Sequence, residues 1–568
     1  MRECWDYWVP AFAGTTADPQ AWHRGQRLLK TRPMSDAVTA AQLLQQGLFH
    51  HRQGDLKTAM ERYVEVLQAD PHNADALYYV AVVVCQDGQF QEGIKLARRA
   101  LDVGPPQARV HNLLGQALYR EGDRLEAIKN FDRAIALDPN FAEAHGNRAN
   151  ILADVGYTDQ ALASFDRALA LNPNSATDWL NRGALLHDLG RYAEALASVD
   201  KAIACGGDAV EAHVNRGNAL KDLGHLDAAR GASAEPRFAQ ATAAYDKALA
   251  LAPNFPEAHL NRGMVALLRG DWEAGFADYE YRSQAGEPTY VALPQPRWDG
   301  AALAGEGLVL VSEQGLGDTI QFCRFAPLLA ARGFDVTMLT RRAMAPLLST
   351  LKGVAVATDH DKIAQDERPL RWLPLLSVPG VLGVHPDSVP ADVPYLAAEP
   401  ERVAAWGARL GAGFKIGINW ASGHSDKPQF KRRDLALADF APLAALGVKL
   451  VSLQKGPAAR EIAMVPFAGR VVAPNADPSP DADFFLDTAA IMMNLDLIVT
   501  CDTSVAHLAG ALARPVFTAL PAVADWRWLM GRSDCPWYPT MRLFRQDDSQ
   551  RWAPVMARMV EAVRQIPR

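Results

Sequence analysis

The strongest constraint on this chain is a glycine that returns every 34 residues through its first half. The positions are Gly54, Gly88, Gly122, Gly156, Gly190 and Gly224. A second small residue keeps the same step at Gly47, Ala81, Gly115, Ala149, Gly183 and Gly217. Between these marks the apolar residues follow helical spacing, as in "AEAHGNRANILADVGYTDQALASFDRALALNPN". One period therefore holds two helices that are joined at the glycine, and a proline-marked break precedes the next period.

This period is typical of tetratricopeptide repeats, in which each helix pair buries its apolar face by stacking on its neighbours. We predict an all-helical solenoid of seven repeats over residues 34–283, in which the small residue of each first helix lets the second helix pack closely. One step is longer, because Gly224 and Gly270 are 46 residues apart. We expect the extra residues, "RGASAEPRFAQA", to form a surface loop.

Four asparagines stand two residues before the small residue of their first helix and therefore recur at one structural position. They are Asn147, Asn181, Asn215 and Asn261. A primary amide offers both a donor and an acceptor, which suits an extended peptide backbone. The ladder therefore predicts a peptide-binding groove for a protein partner. The alternative is that each amide only pairs with the neighbouring repeat.

Residues 1–33 have neither a helical nor a strand period. We predict that they are a disordered extension or a mis-called N-terminus, with Met34 as the true start. The net charge of −7 and the lack of a long basic tract exclude a nucleic-acid or anionic-lipid footprint. The six cysteines lie far apart, which argues against a disulfide framework or a zinc ribbon. No apolar run approaches the ~18 residues that a membrane span needs. We therefore expect a cytoplasmic protein.

From Leu308 onwards short β-rich runs such as "LVLVSE" alternate with helical stretches. This alternation predicts parallel sheets that are covered on both faces. A Pro/Gly-rich linker at 284–300 would lead into a first Rossmann-like lobe at 301–398 and a second at 399–568, facing one another across a cleft. The final helix, near residues 553–565, could fold back to brace the first lobe.

Three polar loops follow predicted strands, where ligands bind in such sheets. In "EQGLGDTIQF", Gly315 and Gly317 permit a tight turn and Asp318 opens a helix. Asp318 is either a helix cap or a carboxylate that takes a proton from an attacking hydroxyl. A dinucleotide fingerprint needs a glycine at 320, but Ile320 stands there, which weakens the hypothesis of an NAD-dependent dehydrogenase.

The other two loops belong to the second lobe. "INWASGHSDKPQFKRRDLAL" carries Lys431 and Arg433, either of which could hold a phosphate, although such a charge run is usually a solvated face. "IVTCDTSVAHLAGA" presents carboxylate, hydroxyl and backbone N–H groups at a helix N-terminus. We predict that this third loop binds a phosphate or diphosphate ligand at Asp502, Thr503, Ser504 and His507, where Asp502 could take ribose hydroxyls. The alternative for Asp502 and Ser504 is helix capping alone.

With these loops in place, residues 301–568 resemble the GT-B glycosyltransferases of the heptosyltransferase family. The whole chain resembles bacterial tetratricopeptide–glycosyltransferase proteins, which include flagellin glycosyltransferases. The motifs are "EQGLGDTIQF", "INWASG…RRDLAL", "VSLQKG", "DTAAIM", "DTSVAHLAGAL" and "DWRWLMGRSDCPWYPTMRLFRQ". Ser504 stands where the family has glycine, and the first lobe is short, so this chain departs from the pattern in two places.

The resemblance implies a metal-independent, inverting transfer of a sugar from a nucleotide-sugar donor to a protein Ser or Thr hydroxyl, with no cofactor. It implies that Asp318 is the base, that Asp502, Thr503 and His507 contact the donor, and that Arg433 or a neighbour neutralises phosphate. The protein acceptor, flagellin being one example, would be recruited by the solenoid. The alternative is a non-catalytic adaptor with a degenerate transferase domain. The Asp359-His360-Asp361 triplet could hold a metal-bound diphosphate, but such triplets are common by chance.

Overall fold

The computed structural model describes residues 39–207, 209–286, 290–422, 432–474 and 484–567. The predicted N-terminal extension therefore lies outside the described residues. The chain divides into two compact units after residue 208. Within the described ranges no helix combines the length and the apolar character that crossing a membrane requires.

Fourteen helices in seven consecutive pairs begin the described chain, so the prediction of a helical tetratricopeptide solenoid is confirmed. Five pairs belong to the first unit. They are α1 (Ala40–Arg52), α2 (Leu56–Ala69), α3 (Ala74–Gln86), α4 (Phe90–Val103), α5 (Ala108–Arg120), α6 (Arg124–Leu137), α7 (Ala142–Asp154), α8 (Thr158–Leu171), α9 (Ala176–Asp188) and α10 (Tyr192–Ala204). The small residue of the first helix lies against its partner helix: a Cβ on Gly115 would stand 2.9 Å from the ring of Phe131.

The second unit opens with the last two pairs of repeat helices. They are α11 (Val210–Ala229), α12 (Glu235–Leu251), α13 (Pro256–Arg269) and α14 (Trp272–Tyr279). Residues 230–234 of the insertion form an exposed turn, whereas residues 235–241 belong to α12, so the expectation of a surface loop holds only for the first part of the insertion. Gly224 lies inside α11, where a Cβ would meet the ring of Phe238 at 2.7 Å, and the left-handed turn falls at Gly231 (φ 79°).

Two parallel sheets follow, which confirms the predicted α/β region. The first sheet has the order β3-β2-β1-β4. Its strands are β1 (Gly307–Val311), β2 (Asp335–Leu339), β3 (Val354–Ala357) and β4 (Leu370–Pro374). Every residue of β1 is buried. Leu308 and Leu310 pack into the large core of this unit, whereas Val309 and Val311 pack with Leu293 and Ile363.

The second sheet has the order β10-β9-β8-β5-β6-β7, also with parallel pairing. Its strands are β5 (Lys415–Asn419), β6 (Lys449–Ser452), β7 (Val471–Val472), β8 (Leu497–Cys501), β9 (Val516–Leu520) and β10 (Met541–Arg545). The order reverses direction between β5 and β8, and this is the place where ligands bind in open α/β sheets. Asn419 and the "CDTS" segment emerge side by side at that point.

Short helices connect the strands of both sheets. They are α15 (Leu316–Phe322), α16 (Phe325–Ala331), α17 (Ala345–Leu348), α18 (His360–Ala364), α19 (Val378–Val381), α20 (Pro400–Leu410), α21 (Ala441–Ala444), α22 (Phe484–Met493), α23 (Ser504–Ala511) and α24 (Ala553–Arg564). Helix α24 packs Val555, Met556 and Met559 into the same core as Ile416 of the second sheet. The predicted brace on the first lobe is therefore wrong.

One hydrophobic core runs through the second unit and joins the last repeat to both sheets. It includes Trp272 and Phe276 of α14, Leu310 of β1 and Ile498 of β8. The Trp272 ring also stacks on that of Trp537, with the ring centroids 5.6 Å apart. The last repeat thus packs as a part of the α/β body, and this packing fixes the loops that carry the candidate site.

Candidate functional site

The loop after β1 holds Asp318 at the N-terminus of α15. Gly315 is the N-cap residue, and its backbone N–H donates to Asp318 Oδ2 at 2.9 Å. The Asp318 carboxylate therefore caps its own helix, which is the role that the sequence analysis gave as the alternative to proton transfer. The cap uses one oxygen, and the other oxygen faces the second lobe.

Across the lobe contact, Arg527 Nη2 donates to Asp318 Oδ1 at 2.6 Å. Arg527 Nη1 donates to Asp525 Oδ1 at 2.8 Å, so one guanidinium bridges two carboxylates. Burial raises the pKa of Asp318, and the positive charge of Arg527 opposes that rise without cancelling it. Asp318 is consequently a stronger base than an exposed aspartate.

The helices that open at the two candidate loops touch each other directly. A Cβ on Gly317 would stand 2.9 Å from His507 Cδ2 and 3.4 Å from Ser504 Cα. In the described residues, α15 and α23 therefore pack together at this point, and the predicted cleft between the lobes does not extend through it. The absence of a side chain at Gly317 allows this approach.

The "CDTS" loop supplies a buried acid beside a cation. Asp502 is 7% exposed, and its Oδ2 lies 3.9 Å from Arg433 Nη1. Burial raises the pKa of Asp502, while Arg433 works in the opposite direction. The structure thus brings Asp502 and Arg433 together, as the predicted phosphate site requires. Lys431 lies outside the described residues.

Thr503 is the N-cap residue of α23, but its side chain does not cap that helix. Its hydroxyl donates instead to Asn419 Oδ1 at 2.8 Å, at the end of β5. Asn419 Nδ2 in turn donates to Gln454 Oε1 at 2.8 Å. This buried network fixes the start of α23. Asn419 and Gln454 were not predicted as site residues, because neither belongs to a motif with a distinctive spacing.

His507 is buried within α23. Its Nδ1 lies 3.1 Å from the hydroxyl of Tyr538, and its ring stacks on Trp528 with centroids 5.3 Å apart. Burial, together with the positive charge of nearby Arg527, lowers the pKa of His507 to about 3. The imidazole is therefore neutral at physiological pH and does not act as a cation for phosphate.

The last repeat also reaches the loop that carries Asp318. Arg282 forms two hydrogen bonds with Glu313, from Nε to Oε2 at 2.8 Å and from Nη2 to Oε1 at 2.6 Å. The two side chains are 2% and 0% exposed. One residue further on, Gln314 Nε2 donates to the Tyr279 hydroxyl at 3.3 Å. These contacts with the last repeat thus help to hold the loop that carries Asp318 in place.

Arg527, Asp525, Arg282 and Glu313 were not predicted as site residues. Arg527 belongs to the "DWRWLMG" segment between β9 and β10, which the resemblance had already singled out without assigning a role. Its contact with Asp318 spans 209 positions of sequence. Only the fold brings these two side chains together.

The asparagine ladder is engaged within the solenoid. Asn147 Nδ2 donates to Asn112 Oδ1 at 3.0 Å, and Asn181 Nδ2 donates to Asn150 Oδ1 at 3.1 Å. Asn261 Nδ2 donates to the carbonyl of Glu257 at 2.8 Å. The first two bonds join neighbouring repeats, which is the structural role given as the alternative. Asn215 is half-buried.

Among the residues that the structure describes, no group of three or more His, Cys, Asp or Glu side chains is arranged to hold a metal ion. Asp359 accepts from the backbone N–H of Lys362 at 3.2 Å and so caps α18. The carboxylates of the candidate site are instead balanced by arginines.

Models of the tetratricopeptide repeat match residues 50–117, 108–141, 147–210 and 226–288, so the N-terminal region contains tetratricopeptide repeats. Among curated proteins, Protein FlbA of Caulobacter vibrioides is 30% identical over 302 residues, which are 48% of this chain and 48% of that protein. The chain thus spans about half the length of the curated relative that it matches.

Solved structures match part of the chain. YrrB, described as a TPR protein with an unusual peptide-binding site, is 25% identical and covers 31% of this chain and 90% of its own, with a TM-score of 0.27. Pseudomonas aeruginosa pilF is 23% identical and covers 39% of this chain and 94% of its own, with a TM-score of 0.34.

Proposed function

We propose that this protein is a GT-B glycosyltransferase that moves a sugar from a nucleotide-sugar donor to a Ser or Thr hydroxyl of a protein acceptor. The observation that carries the proposal is the meeting of Asp318, from the first lobe, with the corner of the second lobe that holds Arg527, Asp502 and His507. Sequence resemblance singled out Asp318 in one motif and both Asp502 and His507 in another, and the two motifs open the helices α15 and α23, which contact each other.

Asp318 would act as the general base. The acceptor hydroxyl oxygen attacks the anomeric carbon, its proton passes to Asp318, and the bond from the anomeric carbon to the phosphate oxygen breaks with inversion. The raised pKa of Asp318 favours proton acceptance. Arg527 would hold the carboxylate in place through the bond of 2.6 Å. Such a positioned base contributes roughly 10²- to 10⁴-fold to the rate.

The leaving nucleotide carries away the electron pair on a phosphate oxygen, so negative charge builds there. Arg433 and the backbone N–H groups that open α23 at Ser504 would offset this charge. His507 would shape the pocket as a neutral ring, since burial keeps its pKa near 3. Asn419 and Gln454 would keep Thr503 and the start of α23 in position.

The solenoid would deliver the acceptor. Tetratricopeptide stacks present an extended concave surface, and a polar amide ladder suits a peptide backbone. Asn147 and Asn181 would bind the peptide while they retain the bonds between repeats. Flagellin is the first acceptor to examine, because the proteins that the chain resembles include flagellin glycosyltransferases.

Equilibrium titration of the full chain with UDP and with CMP tests the donor half of this proposal. We expect one of the two nucleotides to bind, and the Arg433→Gln variant to bind it at least about tenfold more weakly because a charge-assisted phosphate contact is lost. The adjacent Arg432→Gln variant is the control for a general loss of charge. Equal affinities for wild type and Arg433→Gln would remove Arg433 from the site.

A non-catalytic adaptor is the second candidate, and a specific observation favours it. Asp318, Asp525 and Arg527 already satisfy one another across the lobe contact, and α15 packs directly on α23. An adaptor would bind protein partners but no nucleotide and would transfer no sugar. Absence of binding for a broad panel of nucleotides and nucleotide sugars, with protein capture retained, would favour the adaptor.

A further inference from the structure

A second concave site lies in the same unit, away from the residues assigned above. It is a cleft of about 610 Å³ between α11 of the last repeats and the β10–α24 end of the chain. This volume falls within the roughly 300–1,000 Å³ that is typical of small-ligand sites. Four arginines line it. Arg532 pairs with Asp534, and the other three are Arg542 and Arg545 on β10 and Arg558 on α24. We name it the arginine cleft.

The three arginines have neutral partners. Arg545 donates to two backbone carbonyls, those of Arg532 at 3.1 Å and Trp528 at 2.7 Å. Arg558 donates to the carbonyl of Arg545. The guanidinium of Arg542 lies over the ring of Phe544, 5.0 Å from its centroid.

No carboxylate of the described chain forms an ion pair with any of these three arginines, although Arg558 acts electrostatically on Asp547 at the edge of the cleft. The acids at its edge have other partners: Asp547 accepts from the backbone N–H of Ser549, and Glu561 pairs with Arg564. Burial lowers the pKa of Arg545 to about 10, which reflects a cation that lacks a counter-charge. His225, which also lines the cleft, is held neutral because burial lowers its pKa to about 4.

We propose that the arginine cleft binds a small, multiply charged oxyanion, either a phosphate ester or a polycarboxylate. Arginine forks match the oxygens of both groups and pair with them through two parallel hydrogen bonds. A bound anion would pair with Arg542, Arg545 and Arg558, none of which forms an ion pair with a carboxylate of the described chain. In a chain with a net charge of −7, such a local excess of positive charge is a specific feature of this cleft. The proposal does not depend on transferase activity.

Calorimetric titration of the full chain with inorganic pyrophosphate and, separately, with citrate tests this site at low salt. We expect binding of at least one of them, weakened by added salt. We expect Arg542→Gln and Arg558→Gln each to weaken it by about tenfold, since each removes a charge-assisted contact. Tighter pyrophosphate binding would identify a phosphate ester, and tighter citrate binding a polycarboxylate. Arg545 is left intact because it holds two backbone carbonyls.

Two controls separate this site from the rest of the chain. Arg409→Gln removes another exposed arginine that stacks on an aromatic ring, that of Trp406 at 4.9 Å, but lies outside the cleft. Arg409→Gln should leave the affinity for pyrophosphate and citrate unchanged. Arg433→Gln alters the proposed nucleotide site and should also leave affinity unchanged. No binding of either anion, or a loss that follows Arg433→Gln while Arg542→Gln and Arg558→Gln bind normally, would overturn the proposal.

Discussion

Asp318 Oδ1 and Arg527 Nη2 lie 2.6 Å apart, and this bond joins the loop after β1 to the segment between β9 and β10. Arg527 is 7% exposed on its side chain, whereas Asp318 is 21% exposed. The carboxylate is therefore the more accessible member of the pair. Its position at the contact of the two lobes makes it the group that an acceptor hydroxyl would meet.

Removal of the Asp318 carboxylate should abolish the proposed chemistry without unfolding the chain. We expect Asp318→Asn to reduce transfer by about 100-fold or more, because asparagine keeps the shape but cannot take the proton. Asp525→Asn removes the other carboxylate that contacts Arg527 and should cost less activity. Initial rates of sugar transfer at saturating donor compare the two, and near-UV circular dichroism checks the fold. Equal losses would assign Asp318 an electrostatic role only.

The loss of activity at low pH, which is the acid limb of the pH–rate profile, should be caused by protonation of Asp318. Because burial raises its pKa, the carboxylate should become protonated, and activity should fall, at a higher pH than for an ordinary aspartate. Arg527→Gln removes the charge that opposes this rise, so the acid limb should move further towards neutral pH. Measurement of kcat/KM against pH for wild type and Arg527→Gln checks this. An unmoved limb would mean that another group controls the profile.

The buried pair of Arg282 and Glu313 should be essential to the stability of the second unit. Arg282→Met leaves the buried Glu313 charge without its arginine, which costs about 3–5 kcal/mol. Arg282→Met combined with Glu313→Gln removes that charge as well and should be less destabilised than Arg282→Met alone. Urea unfolding, followed by tryptophan fluorescence, measures both.

An exposed pair provides the control for that comparison. Arg564 and Glu561 lie 3.2 Å apart, with 59% and 60% of their side chains exposed. Arg564→Met should change the unfolding free energy by less than about 1 kcal/mol. A similar small effect for Arg282→Met would contradict the assigned role of the buried pair in holding the Asp318 loop.

The close approach of α15 and α23 should depend on Gly317. An alanine there would place its Cβ 2.9 Å from the His507 ring, so Gly317→Ala should destabilise the unit by about 1–3 kcal/mol. Gly469 has no atom within 4 Å of a built Cβ and no positive φ, which makes Gly469→Ala a matched control. Unfolding midpoints compare the two. If Gly317→Ala is as stable as Gly469→Ala, the lobes have room to separate at this contact.

His225 should make the second unit less stable in acid. The pKa of His225 is about 4 in the folded protein, against 6.5 for the free side chain. As pH falls from about 6.5 towards 4, only the unfolded chain takes up this proton, so stability decreases by up to about 3 kcal/mol over that window. His225→Gln should therefore give a flatter dependence of the unfolding free energy on pH. Parallel curves for both proteins would contradict the pKa assignment.

The repeats were predictable because each helix pair depends on local spacing. The error at Gly224 has a physical cause: a glycine at the period can serve either a turn or a close helix contact. At Gly224 it serves the contact with Phe238, and the turn moves to Gly231. The position of α24 was predicted wrongly for a related reason. An amphipathic pattern shows which face of a helix is buried but not which sheet covers that face.

The candidate site was partly predictable. Asp318 and Asp502 follow strands, and the carboxyl ends of parallel strands are where ligands bind, so their sequence context identified them. Arg527 lies in irregular structure and Arg282 in the last repeat, and neither has a local pattern that points to Asp318. Their roles come from tertiary packing alone.

The central claim is that Asp318 serves sugar transfer to a protein, and the mass of an acceptor tests it most directly. Flagellin, followed by other candidate acceptors, would be purified from cells that carry wild-type protein, the Asp318→Asn variant or no protein, and analysed by intact-mass spectrometry. We expect an acceptor that carries added sugar mass only in wild-type cells. Identical acceptor masses in all three strains would contradict the account.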